Sequence, residues 1–166
     1  MNPLRERYGK EIDTILAKYP ADQKRSAVMP LLYIAQREAG YVSRAEMEQI
    51  GEILSISSTE VASIVGFYTL YHDKPEGKYR IQVCNDLPCA LRGADDYLND
   101  LCDRLGIQPG ETTEDGVITV EAVMCLAACD NAPMYQEQSP DGIAYRENQT
   151  VEKTMQHIEK LRAEAK

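Results

Sequence analysis

Apolar residues recur every three or four positions through the first part of the chain, which is the period of a helix with one buried face. One stripe of this kind runs along residues 4–18 and a second along residues 24–39. Pro30 falls early in the second stripe, where proline either opens a helix or kinks it. Gly40 follows the last apolar position and predicts the end of that helix, because glycine readily adopts the left-handed conformation of a helix C-cap.

Two further helices are predicted by pairs of serine and glutamate. Ser43 stands three residues before Glu46, and Ser57 stands three residues before Glu60, which is the spacing of a capping box. The apolar residues expected on the last of these helices are Val61, Ile64, Val65, Tyr68 and Tyr71. Four helices joined by short connections predict a four-helix bundle over residues 1–73.

A turn-forming stretch at 73–77 separates the helical pattern from a different one. The elements predicted after it are a strand at 78–84, a helix at 89–105, strands at 117–123, 133–136 and 143–146, and a final helix from about Thr150 to Arg162. The stripe of the first of these helices comprises Leu91, Ala94, Leu98, Leu101, Cys102 and Leu105. This order, a strand and a helix followed by three strands and a helix, is similar to a thioredoxin-like layer. The expected fold class is α+β, with the four-helix bundle followed by a thioredoxin-like α/β domain over residues 74–166.

Composition and charge narrow the possible partners. The hydrophobic fraction, 43%, is close to that of ordinary globular domains and is enough for a packed core. The net charge of −9 is shared unevenly: residues 1–77 carry nine basic and eleven acidic side chains, whereas residues 78–166 carry nine and sixteen. No basic stripe is present that would neutralise phosphates, so the charge pattern argues against nucleic-acid binding.

The sequence also lacks the signals of membrane insertion or secretion. No apolar run approaches the length that spans a bilayer, and the first residues lack the charged-then-apolar order of a signal peptide. Five cysteines are an odd number, which suits a reducing compartment better than a secreted disulfide framework. We therefore expect a cytoplasmic protein without direct membrane insertion.

Four of the cysteines fall in two tight pairs. Four residues separate Cys84 from Cys89, and three residues separate Cys125 from Cys129. Because a [2Fe–2S] cluster takes two protein sulfurs per iron, two pairs brought together by the fold would supply its ligands. Two pairs of cysteines also suit a zinc ion, and disulfides or free thiols are a third interpretation. The spacing favours the cluster over zinc, and the alternatives stay open at this point.

The remaining candidate groups predict no further chemistry. Cys102 lies on the apolar stripe of its helix and is expected to be a small buried side chain. His72 lies near a predicted helix end, and His157 lies in the last helix, where we expect it to be solvated. Neither histidine is beside a cysteine, which argues against a Rieske centre. The sequence contains no dinucleotide-binding or phosphate-binding glycine motif and no convincing catalytic set, so no catalytic residue is predicted.

These residues resemble a family, the thioredoxin-like [2Fe–2S] ferredoxins that form the E-type subunit of NADH:quinone oxidoreductase, or respiratory complex I. The four cysteines match the family spacing one for one, and the resemblance covers roughly residues 10–165. Supporting stretches are 27-AVMPLLYIAQREAGYV-42, 67-FYTLY-71, 77-GKYRIQVC-84, 104-RLGIQPGETT-113 and 131-NAPM-134. Ser63 stands where the family often has glutamate. Ala127 stands where it often has glycine, a residue that would permit a positive φ or a close approach to the cluster.

The resemblance implies an electron-transfer subunit that carries one [2Fe–2S] cluster. By analogy, Cys84 and Cys89 would hold one iron, and Cys125 and Cys129 the other. FMN and NADH are expected on a partner subunit only, and hydride would reach the flavin there. The chain would then be a subunit of an oxidoreductase, peripheral to the inner membrane of a bacterium and in contact with the flavin subunit and other complex I subunits. The alternative is the equivalent subunit of an NAD-linked hydrogenase or formate dehydrogenase.

The resemblance also assigns a role to the helical region. Residues 1–73 would dock on the flavin subunit, and the aromatic group of Phe67, Tyr68 and Tyr71 would contribute to the contact. The competing interpretation is that these rings simply pack in the core of the helical region.

Overall fold

The computed structural model describes residues 2–165 and divides into two units, one ending at Pro75 and the other beginning at Glu76. The first unit is helical. Its α-helices are α1 (Pro3–Leu16), α2 (Val28–Ala39), α3 (Arg44–Leu54) and α4 (Ser58–Phe67), with a 3-10 turn at Lys24–Ala27 directly before α2.

Local hydrogen bonds account for the ends of these helices. Both predicted capping boxes are confirmed: the Ser43 hydroxyl accepts from the backbone N–H of Glu46 at 3.2 Å, and the Glu46 carboxylate accepts from the backbone N–H of Ser43 at 2.9 Å. Ser57 and Glu60 repeat the arrangement at the start of α4. Gly40 ends α2 with a φ of 76°, a left-handed conformation that costs glycine no steric clash. Short polar motifs therefore fix these boundaries.

One apolar cluster fills the interior of the first unit. Its fully buried large side chains come from α1, α2 and α3, and they are Leu4, Ile12, Leu31, Leu32, Ile34 and Ile50. Helix α4 adds Val61 and Val65. The prediction that α4 continues through Tyr71 was wrong, because the backbone turns extended at Tyr68 after the helix ends at Phe67.

The second unit combines a sheet with helices in the predicted order, in which one strand and one helical region precede three strands and a final helix. Its elements are β1 (Tyr79–Cys84), the short α5 (Leu87–Ala90), α6 (Ala94–Leu105), β2 (Ile118–Val123), β3 (Tyr135–Ser139), β4 (Gly142–Arg146) and α7 (Val151–Glu164). The strand order is β2-β1-β3-β4, with β1 and β2 parallel and the other pairs antiparallel. The unit is a mixed α/β layer, as expected of a thioredoxin-like fold.

The predicted helix at 89–105 is in fact two helices. Gly93 adopts a φ of 88° and interrupts the helix, so α5 ends before it and α6 begins after it. Leu91 therefore leaves the apolar stripe on which we placed it, and it is 80% exposed. The turn that joins β3 to β4 consists of Pro140 and Asp141, between the paired residues Ser139 and Gly142.

The second unit has two separate buried clusters. In the larger one, α6 and α7 pack on the sheet face that carries Tyr79, Ile81 and Val83. The smaller cluster lies around the first cysteine pair and comprises Cys84, Cys89, Ala94, Ala128, Ala132 and Met134. The cysteines thus have a packed apolar surrounding of their own, apart from the main core.

Between residues 2 and 165, no single helix is long and apolar enough to cross a membrane. Helices α3 and α4 are long and apolar enough only when they are taken together, and the chain bends by 118° between them.

Candidate metal centre

The sheet brings the two cysteine pairs to one edge. Cys84 is the last residue of β1, and it lies opposite Val123, the last residue of the parallel strand β2. The backbone N–H of Asn85 donates to the carbonyl of Val123 at 3.2 Å, so the segments that follow β1 and β2 leave the sheet side by side. Cys125 follows two residues later. Parallel pairing in this register therefore places both pairs at the carboxyl ends of neighbouring strands.

A single helical turn positions the second cysteine of the first pair. Asp86 caps this turn, because its side chain accepts from the backbone N–H of Leu87 at 2.9 Å. The backbone N–H of Cys89 donates to the carbonyl of Asp86 at 2.8 Å. Cys89 is thereby turned back toward Cys84, and both residues are buried in the small apolar cluster.

The loop between the second pair is held in an unusual conformation. Ala127 has a φ of 59°, in the left-handed region that costs residues other than glycine about 1–2 kcal/mol. Its backbone N–H donates to the Sγ atom of Cys125 at 3.4 Å. Of the two reasons considered for glycine at this position in the family, the positive φ is therefore present here. The strained backbone aims a hydrogen-bond donor at one of the candidate ligands.

The thiol groups influence one another electrostatically. Burial raises the pKa of Cys89 to about 12, and hydrogen bonding and charge from Cys84, together with the nearby Cys129, contribute to the same rise. A raised pKa means that the neutral thiol is favoured, because a second thiolate would lie beside others in an apolar surrounding. The thiol of Cys89 therefore lies near the thiols of Cys84 and Cys129. Cys125 differs from them, since it is exposed to solvent.

The donor set fits a cluster with two irons. All five cysteines are free thiols, and the two pairs offer four sulfurs of the soft type that iron prefers. A bound cation would reverse the mutual repulsion that now favours a protonated Cys89. Across residues 2–165, no three His, Cys, Asp or Glu side chains are arranged to hold one metal ion. A [2Fe–2S] cluster takes two thiolates per iron, so the four cysteines supply the number of sulfurs that it needs.

Cys102 lies away from the other four cysteines. It is 2% exposed and belongs to the larger core cluster between helices and sheet. Burial raises the pKa of its thiol, with smaller contributions from Asp103 and Glu111. The predicted burial is confirmed, and the thiol is neither solvent-accessible nor readily ionised.

His157 has an environment that the sequence did not predict. Its Nε2 atom lies 2.5 Å from a carboxylate oxygen of Glu137, which is buried and also lies 3.4 Å from Arg146. The histidine is thus half-buried and joins α7 to β3, whereas we expected it to be solvated. The periodicity of α7 alone carries no signal for this contact, because its partner lies twenty residues away in the chain.

The chain is similar to a family described by its [2Fe–2S] cluster and to proteins named as oxidoreductase subunits. The family described as thioredoxin-like [2Fe–2S] ferredoxin matches residues 12–162. NADH-quinone oxidoreductase subunit 2 of Thermus thermophilus is 41% identical over 125 residues, which cover 75% of this chain and 69% of that protein. The E-type subunit of NADH-quinone oxidoreductase from Rickettsia bellii is 38% identical over 151 residues, which cover 90% of this chain and 88% of that protein.

A solved structure with a similar fold is the NAD+-reducing [NiFe]-hydrogenase in its H2-reduced state. The TM-score is 0.65, and the match covers 82% of this chain but only 22% of the hydrogenase chain. At 22% sequence identity, this similarity concerns the fold alone.

Proposed function

The chain belongs to the thioredoxin-like [2Fe–2S] ferredoxin family, and from this premise we propose that it is the electron-transfer subunit of an NADH:quinone oxidoreductase. The proposal depends on one observation: the first cysteine pair begins at the last residue of β1, and the second pair follows the neighbouring strand β2 at the same edge of the sheet. Relatives named as subunits of that enzyme, at 38–41% identity over most of the chain, support it. In this role the chain works within a multi-subunit complex at the membrane and has no catalytic residue of its own.

The residues that would hold the cluster are Cys84, Cys89, Cys125 and Cys129, with the first two on one iron and the last two on the other. When bound, a [2Fe–2S] cluster accepts and releases one electron at a time. The chain's own residues exclude water from Cys84 and Cys89 through the buried cluster around them. Ala127 directs its backbone N–H at the Cys125 sulfur, and such hydrogen bonds are known to tune cluster potentials.

The first unit would serve as a four-helix bundle that docks on the flavin- and NADH-binding subunit. Phe67 is 78% exposed and Tyr68 is 41% exposed, and their rings meet edge to face at 5.1 Å. Exposed aromatic side chains are enriched at protein interfaces. Tyr71 is buried in the core of the first unit instead. Of the three aromatic residues, Phe67 and Tyr68 are therefore the ones proposed for the contact. FMN and NADH would both bind the partner. There NADH would give hydride to the flavin, and the electrons would then leave the flavin one at a time.

A subunit of an NAD-linked hydrogenase or formate dehydrogenase is the second candidate. The fold similarity to an NAD+-reducing hydrogenase is compatible with it, whereas the sequence relatives named above, which are subunits of NADH-quinone oxidoreductase, support the first candidate. Purifying the tagged chain from its own cells with its partners separates the two, because one complex includes membrane proton-pump subunits and the other a hydrogenase large subunit.

Electron paramagnetic resonance on the reduced, purified full chain tests the proposed function, with iron and acid-labile sulfide measured on the same sample. We expect the signal of a reduced [2Fe–2S] cluster and about two irons and two sulfides per chain. The untreated protein should be reddish-brown and should bleach with dithionite. A colourless chain with one zinc and no sulfide would overturn the redox role.

A further inference from the structure

Three of the five exposed large apolar side chains that the structure describes in the second unit lie within two residues of a candidate cysteine ligand. Leu87 is 69% exposed, Leu91 is 80% exposed and Met124 is 76% exposed. We call these three residues the apolar collar. Single exposed apolar residues are common on protein surfaces and need no explanation, but several within two or three residues of candidate metal ligands form a feature that does.

The three residues lie at the same edge of the sheet. Leu87 and Leu91 are one helical turn apart, and the backbone N–H of Leu91 donates to the carbonyl of Leu87 at 3.0 Å. They therefore share a face of the turn that carries Cys89. Met124 directly follows Val123, whose carbonyl accepts from the loop that leads into this turn. The collar thus flanks both cysteine pairs.

The collar adjoins the accessible side of the cysteine site. Cys84 and Cys89 are buried, whereas Cys125, next to Met124, is exposed. Covering exposed leucine and methionine side chains with a partner is favourable, because it removes apolar surface from water. Covering this edge would also bring a second redox group close to the exposed ligand. One surface thus combines an apolar contact with access to the site.

Charges around the collar indicate what kind of surface covers it. Asp86 precedes Leu87, Asp95 accepts from Asn85 at 3.5 Å, and Asp130 follows Cys129. None of these three acids forms an ion pair with any residue from 2 to 165. The basic residue nearby in sequence is Arg92, whose Nε atom donates to a backbone carbonyl at 3.4 Å. A second copy of this chain would oppose acids with acids, so a basic rim on a different protein is the better complement.

We propose that the apolar collar is the docking surface for the electron-exchange partner of this chain, a protein whose redox group lies beneath an apolar face rimmed by basic side chains. The inference rests on the proposed function, because it presupposes a redox group held by the four cysteines. In each event, one electron leaves the partner's redox group and enters the group held by this chain. No covalent bond forms or breaks in that step.

The test uses the whole complex, purified through a tag on the full chain from cells that make it. The collar variant is the double substitution Leu91→Ser with Met124→Gln, and the matched control is Ile143→Ser, an equally apolar exposed residue on β4. Flavin per chain, iron per chain and the rate at which NADH produces the reduced-cluster signal are measured for each. We expect the collar variant to lose at least about tenfold in retained flavin subunit or in that rate, with iron unchanged.

The outcomes separate failure of the collar from failure of the proposed function. A collar variant that keeps its iron, its flavin partner and its rate overturns the collar. Loss of the same size in Ile143→Ser overturns it too, as does a loaded wild-type chain that dimerises through the collar. Wild-type protein without iron or a flavin partner overturns the proposed function itself. Should the double variant lose iron, the single Met124→Gln variant, at an exposed position, decides the matter by the same measurements.

Discussion

The two units of the molecule use their buried residues differently. In the helical unit, the buried side chains form one cluster that contains no cysteine. In the sheet unit, the buried side chains are split between a core under the helices and a smaller cluster around Cys84 and Cys89. The larger cores supply stability, whereas the smaller cluster supplies a dry surrounding for thiols. The comparison teaches that the candidate metal centre lies in a small packed cluster of its own, apart from the main core of the sheet unit.

The largest expected effect is the loss of a cysteine ligand. Cys125→Ala should abolish cluster binding, because one iron would lose one of its four sulfur ligands. Iron and sulfide should fall from about two of each per chain to near zero. Iron analysis and the visible spectrum report this directly.

Cys102→Ala is the matched control for that substitution, since Cys102 lies in the larger core away from the candidate ligands. Its visible spectrum should match that of the wild type. A folded Cys102→Ala protein without the spectrum, or a Cys125→Ala protein with two irons, would show that the ligands have been assigned wrongly.

The next largest effect is the loss of stability when a buried leucine is replaced by alanine in the main core of either unit. Leu31 in α2 and Leu101 in α6 are both fully buried. Replacing either by alanine should cost about 2–5 kcal/mol, from lost burial and from the cavity left behind. Denaturant unfolding followed by circular dichroism measures the cost. Leu31→Ala should retain its iron in the folded protein, because Leu31 packs only within the helical cluster. Costs below about 1 kcal/mol at either position would contradict the packing described here.

A smaller effect concerns alkaline pH. Burial raises the pKa of Tyr71 to about 12, and its hydroxyl donates to the carbonyl of Met29 at 3.0 Å. A raised pKa in the folded state stabilises the protein below pH ~10, and that contribution is lost as the pH rises toward 12. Tyr135 in the sheet unit has its pKa raised to about 12 in the same way, so both units should weaken over this range.

Tyr71→Phe checks this expectation. At pH ~7 the variant should lose about 0.5–1.5 kcal/mol, because the Met29 carbonyl loses its donor. Between pH ~10 and 12 its stability should fall less steeply than that of the wild type. Unfolding midpoints measured across this range decide the point. Identical slopes for the two proteins would show that Tyr71 does not carry the dependence.

The smallest effect compares one strained residue in each unit. Ser55 ends α3 with a φ of 57°, and Ala127 lies between the second cysteine pair with a φ of 59°. Replacing either by glycine should stabilise the protein by about 0.5–1 kcal/mol, since relief of strain exceeds the entropy that glycine adds to the unfolded chain. Ala127→Val should act in the opposite direction. A destabilised Ala127→Gly protein beside a stabilised Ser55→Gly protein would mean that the alanine side chain itself supports the loop.

Features that depend on neighbours in sequence were predicted well. The capping boxes at Ser43 and Ser57 follow from two residues three positions apart, and the structure contains both. The order of strands and helices in the second unit follows from periodicity. The cysteine spacing favours the same kind of site that the matching family is described by, a [2Fe–2S] cluster. In each case the determining interactions lie within one element or one loop.

Other features depended on which distant segments meet, and only the tertiary structure decided them. The register of β1 and β2 sets Cys84 opposite Val123, some forty residues later in the chain, and so brings the pairs to one edge. The contact of His157 with Glu137 requires α7 to pack against β3. Leu91 fits a helical stripe in the sequence, yet the break at Gly93 leaves it in solvent. Periodicity records which residues share a face of one element, whereas burial depends on which other element covers that face.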